Sequence, residues 1–116
     1  KYREAPQVLR EKQINLLQEI KWICRKHDTD VKIIISPDYL QVNINPADVK
    51  TLKRFFGKRN VFDFTGINEY TEDIHNYYEP GHYRPALGKR LMEKIYEPYI
   101  LSPNAKSPAS PSPGTI

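Results

Sequence analysis

The stretch VKIIISPD, residues 31–38, decides how the chain is read. Residues 31–35 are β-branched and almost continuously apolar, and Ser36-Pro37-Asp38 stops the run. A short run without polar alternation predicts a strand buried on both faces, as in a parallel sheet. Parallel strands need crossover connections, so helices should flank this one in sequence.

They do. Upstream, Leu9, Leu16, Leu17, Ile20, Ile23 and Cys24 fall at helical spacing and predict a helix over about residues 6–27, with Pro6 in its first turn. Downstream, residues 38–45 read as a connection. Asn45-Pro46-Ala47-Asp48 is then a helix start: a capping side chain, a proline suited to the first turn, and an acid at the positive end of the dipole. Val49, Leu52, Phe55 and Phe56 form the stripe of this helix, and Gly57 supplies its stop. Residues 61–64, VFDF, predict a second strand ended by Thr65-Gly66. About 18 residues without periodicity follow, longer than a plain connection and therefore expected to be functional or disordered. Leu87, Leu91 and Ile95 predict a last helix over about 85–96. From Ser102 the sequence is SPNAKSPASPSPGTI, a Pro/Ser-rich tail or linker with nothing to bury.

Alternation of helix and strand implies an α/β fold with right-handed crossovers, a parallel sheet and helices on both faces, three layers in all. Two strands make a poor sheet alone. Residues 1–101 are accordingly expected to be the C-terminal portion of a larger α/β domain, or to pair with a partner chain, and 102–116 to lie outside it. The chain starts at Lys1 rather than Met, consistent with a trimmed or fragmentary sequence.

Composition narrows the class. Of 116 residues, 39% are hydrophobic and 28% charged, a globular balance. No apolar run approaches the roughly 20 residues that cross a bilayer, so no integral membrane segment is expected. A single cysteine, Cys24, excludes an internal disulfide and reads as a small core residue. The net charge of +4 is only mildly basic. Lys50, Lys53, Arg54, Lys58 and Arg59 cluster around the second helix, but Phe55 and Phe56 there have core spacing. The run is read as a solvated helix face, with at most a weak attraction to an anionic polymer, and no nucleic-acid partner is expected.

The chemistry-bearing stretch is NYYEPGHYRP, residues 76–85, inside the long loop. Pro80-Gly81 at the centre of a four-residue turn favours type II, with glycine at positive φ. The turn brings Glu79 and His82 within reach of each other. A carboxylate accepting from imidazole Nδ1–H fixes the tautomer and leaves Nε2 as a free base. Two other readings stay open: the pair shapes the turn and caps the following helix, or Glu72, Asp73, His75, Glu79 and His82 gather metal ligands. The spacing matches no tight zinc pattern, and no metal or cofactor is expected. His75 alone reads as a polar loop residue. Tyr70, Tyr77, Tyr78 and Tyr83 either line a sugar-binding cleft or pack the loop onto the sheet. Arg84 is placed to meet an anionic substrate group or to pair with Glu79 or Asp73.

Glu-Pro-Gly-His, followed by Tyr-Arg-Pro and a short helix, resembles the last block of the SGNH (GDSL-like) hydrolase superfamily. That block is Asp-x-x-His after the last strand and before the final helix. The resemblance spans roughly residues 7–97 through motif and element order. It implies a flavodoxin-like domain of which this chain is the C-terminal portion, with His82 as general base and Glu79 as orienting acid, a glutamate where the family usually has aspartate. Arg84, Tyr78 and Tyr83 are the candidate substrate contacts on the reading of the residues given above. The implied reaction is serine-dependent ester hydrolysis or O-acyl transfer on an acylated saccharide or cell-wall polymer, in an extracytoplasmic setting such as the periplasm or cell surface.

The family's Gly-Asp-Ser nucleophile block and its oxyanion-hole blocks are absent here. Ser36 is followed by proline rather than a helix, so it makes no nucleophile elbow. The chain alone is expected to be inactive, its partner being the missing N-terminal part of the domain or another chain. The alternative is a non-catalytic α/β interaction module.

Overall fold

A computed structural model of the chain describes residues 1–97. The Pro/Ser-rich tail and the expected domain boundary at residue 101 lie outside the described residues. Among the described residues the fold is mixed α/β, with three α-helices, a small parallel sheet and a small antiparallel one.

Helix α1 spans Glu11–Lys26, and strand β1 spans Ile33–Ile35. Helix α2 spans Pro46–Phe56, and strand β2 spans Val61–Asp63. β1 and β2 pair in parallel, Ile33 opposite Val61 and Ile35 opposite Asp63. Their side chains alternate between two clusters, as the pleat requires. Ile33, Ile35 and Val61 meet Phe56, Leu52, Phe55, Leu17 and Cys24 from α2 and α1. Ile34 and Phe62 meet Phe64, Leu91 and Ile95. The last two belong to helix α3, Pro85–Ile95, whose Leu87, Leu91 and Ile95 are buried as their spacing predicts.

α2 forms as the sequence dictates. The Asn45 side chain accepts from the Ala47 N–H at 2.9 Å, Pro46 occupies the first turn, and Gly57 ends the helix at φ 90°.

Three expectations are corrected. First, α1 begins at Glu11, not near Pro6, because the preceding residues are used elsewhere. Glu4 bridges Asn43 in parallel, with Ala5 N–H donating to Asn43 O and Asn43 N–H to Arg3 O, both at 2.8 Å. Asp48 then accepts from the backbone N–H groups of Val8 (2.8 Å) and Leu9 (3.1 Å). This carboxylate is 1% exposed, so it anchors a distant segment besides sitting near its own helix N-terminus.

Second, β1 is half-buried throughout rather than buried on both faces. Among the described residues the sheet has two strands. The apolar stripe of α1 is split for the same reason. Leu17 and Cys24 pack inward, while Leu16, Ile20 and Ile23 stay about half exposed.

Third, the long loop is ordered. Its first half is wired by short side chains around Thr71, which is fully buried. Thr71 Oγ1 donates to Gly66 O at 2.6 Å and accepts from Asn68 N–H at 3.0 Å. Asn68 Nδ2 donates to Phe64 O at 3.0 Å. Its second half is a hairpin: strand β3, Tyr77–Glu79, antiparallel to strand β4, His82–Tyr83.

Candidate functional site

The hairpin sets the site. Tyr77 pairs with Tyr83 and Glu79 with His82, so β3 carries one extra residue, Tyr78, against β4. An extra residue of this kind bends a strand and re-aims its side chain. Tyr78 is accordingly pushed outward and 64% exposed, while Tyr77 on the inner side is buried.

The two-residue connection is Pro80-Gly81. Gly81 is not among the residues at positive φ, so the expected type II geometry is not what closes the turn. Cross-strand pairing does that work: directly opposed residues of an antiparallel pair hold their Cβ atoms about 4.5–5.5 Å apart. The loop after β1 braces the turn, with Tyr39 N–H donating to Pro80 O at 2.9 Å. Asp38 accepts from Leu40 N–H at 2.7 Å, and its carboxylate flanks Gly81.

His82 Nδ1 lies 2.7 Å from Glu79 Oε1. With the carboxylate as acceptor, Nδ1 carries the proton and Nε2 presents its lone pair. Both side chains are open to solvent, at 74% and 64% relative exposure, so the pair adds little to stability. Its consequence is orientation of the ring, and the imidazole is reachable from outside.

A second acid–histidine pair lies in the same loop. Asp73 Oδ1 is 2.9 Å from His75 Nδ1 and also accepts from the His75 backbone N–H at 2.9 Å. The backbone hydrogen bond first, and the side-chain one second, hold the Asp73 carboxyl below the ordinary aspartate range. This pair caps the 3₁₀ turn at Ile74–Asn76, and His75 is therefore more than an unattached polar residue. Among the described residues, no group of three or more His, Cys, Asp or Glu converges as a metal site.

The aromatic residues divide by role. Tyr77 donates its hydroxyl to Tyr70 O at 2.6 Å and stacks obliquely on Tyr39, ring centroids 5.8 Å apart. Burial first, then the charge of Asp38, pushes the Tyr77 phenol up to about 12. Tyr70 meets Phe64 edge-on at 5.2 Å, and Tyr83 packs partly buried against the same cluster and over Gly88. Tyr78 alone of the four presents an open ring. Arg84 makes no ion pair with Glu79 or Asp73; its guanidinium lies 4.4 Å over the Tyr78 ring centroid. The hairpin and the residue after it thus carry two exposed pairs, Glu79 with His82 and Tyr78 with Arg84, and Tyr83 roots them. Ser36 is exposed and precedes the buried Pro37, with no helix start behind it.

What sequence reading missed is the hairpin itself and the second pair at Asp73 and His75. A signal existed for the latter: Asp followed two residues later by a donor is an Asx-turn pattern. No protein family, curated protein or solved structure matches the chain.

Proposed function

We propose that the hairpin carries the acid–histidine half of a serine esterase or O-acyltransferase site, acting on an acylated saccharide or cell-wall polymer. The observation that carries this reading is the 2.7 Å contact between Glu79 and His82 on an exposed tip. A fold with helices on both sides of a parallel pair supports it too, in keeping with the end of a three-layer, flavodoxin-like SGNH domain.

In this reading the nucleophilic serine comes from outside residues 1–116. His82 Nε2 takes the serine hydroxyl proton as Oγ bonds to the acyl carbon. The same proton goes to the alkoxide leaving group as the ester C–O bond breaks. Glu79 keeps the ring in the Nδ1–H tautomer and offsets the charge of the imidazolium. Arg84, steadied on Tyr78, meets a polar or anionic group of the polymer, and the open Tyr78 ring takes a sugar face.

The missing portion also has somewhere to dock. Leu16, Ile20 and Ile23 on α1 form an exposed apolar stripe, 53%, 47% and 46% accessible. The same stripe favours the second reading, a non-catalytic α/β module that binds a partner through this face.

A serine-reactive phosphonate applied to the polypeptide that includes the upstream coding region separates the two. The catalytic reading expects covalent labelling that His82→Ala abolishes. Absence of labelling, or labelling indifferent to His82→Ala, supports the binding module.

A further inference from the structure

On the flank of α1 opposite its exposed apolar stripe lies a groove of about 700 Å³, lined by Gln18, Lys21, Trp22, Arg25, Lys26 and Phe55. The spacing builds it: residues 18, 22 and 25 are one helical face, residues 16, 20 and 23 the other. Its walls alternate cations with aromatic rings. Lys26 Nζ lies 5.0 Å from the Trp22 ring centroid, and Lys21 Nζ and Arg54 Cζ lie 5.9 Å from that of Phe55. Trp22 is 60% exposed, unusual for so large an apolar ring.

Among the described residues, no carboxylate pairs with Lys21, Arg25, Lys26 or Arg54; the ion pairs present involve other cations. Lys21, Arg25 and Lys26 are three like charges around one concavity that repel each other, and among the described residues no carboxylate pairs with them there. The aromatic faces hold two of these cations, Lys21 and Lys26, in place without neutralising them. The Arg25 guanidinium and two ammoniums match the chemistry of phosphate: a fork for bidentate contact and point charges for the remaining oxygens. The volume falls in the range of small-molecule sites rather than of a polymer track.

We propose that this groove is a binding site for a phosphate-bearing small molecule. Its phosphate sits among Lys21, Arg25 and Lys26, and its organic portion lies along the Trp22 and Phe55 wall. The proposal is independent of the hairpin chemistry, because no groove residue belongs to the hairpin.

Trp22 is the only tryptophan in the chain, so its fluorescence reports on the groove alone. The 116-residue chain is titrated with inorganic phosphate, a sugar monophosphate and ADP at fixed ionic strength, with calorimetry in parallel. The expected result is saturable one-to-one binding that moves the Trp22 emission. Affinity should fall about tenfold or more in Arg25→Gln/Lys26→Gln and stay unchanged in Lys89→Gln on α3. A preference for ADP identifies a planar ring as the organic portion; equal binding of the sugar phosphate identifies the phosphate as the recognised group. Calorimetry on Trp22→Ala should show weakened binding of both esters. Two outcomes overturn the proposal: no saturable binding of any phosphate ligand, or affinity untouched by Arg25→Gln/Lys26→Gln.

Discussion

The hydroxyl of Tyr77 donates to the backbone carbonyl of Tyr70 at 2.6 Å, tying the base of the site hairpin to the loop that precedes it. The phenol is 4% exposed, and burial first, then the charge of Asp38, raises it to about 12 against an ordinary 10.0. The unfolded chain therefore releases this proton before the folded one does. Stability from Tyr77 is fully present below pH 10 and is lost as pH rises through about 12. Over that whole window the loss amounts to roughly 2–3 kcal/mol. Tyr77→Phe should cost about 1 kcal/mol near pH 8, where it orphans the Tyr70 carbonyl. The deficit should shrink by about 1 kcal/mol at pH 11, because the variant has nothing there to ionise. Urea unfolding at the two pH values checks this; a deficit constant with pH contradicts it.

Asp48 is the anchor of the N-terminal segment. Replacing it by alanine leaves the Val8 and Leu9 N–H groups unpaired beside a cavity, and should destabilise by about 2–4 kcal/mol. Asp48→Asn keeps one acceptor oxygen and should lose less. Hydrogen exchange at Val8 and Leu9 should accelerate in both variants. Denaturant midpoints within experimental error of the parent for Asp48→Ala would remove the anchoring role.

Gly66 has φ +87°, and a Cβ there would clash with the Asn43 side-chain amide. Gly66→Ala should cost about 2 kcal/mol or more, part from backbone strain and part from the clash. Adding Asn43→Ala should recover the clash component only. A double-mutant cycle showing simple additivity would mean the two residues do not meet.

Local signals carried much of this fold. Asn45-Pro46 and Gly57 bounded α2 because capping chemistry is decided within a few residues. The spacing of Leu87, Leu91 and Ile95 placed α3 because one wide apolar face dominates it. The start of α1 was not legible, since what holds residues 8 and 9 out of the helix is a carboxylate 40 positions away. The hairpin was missed for a different reason. Its strands are three and two residues long, with a register break at Tyr78, so no alternation develops.

The contact of Glu79 with His82 was readable from spacing, though not the backbone that makes it: pairing across β3 and β4 replaces the positive-φ glycine that Pro-Gly suggested. The groove at Trp22 was unread because its walls come from two helices, the cations and Trp22 from α1 and Phe55 from α2.

The central claim is that Glu79 fixes which nitrogen of His82 is free. Nitrogen-15 NMR of the His82 ring, at a pH where the imidazole is neutral, measures this directly. The account predicts the Nδ1–H tautomer in the parent chain and a shift toward Nε2–H, the form free imidazole side chains favour, in Glu79→Ala. A parent ring already in the Nε2–H form, or one indifferent to Glu79→Ala, would contradict it.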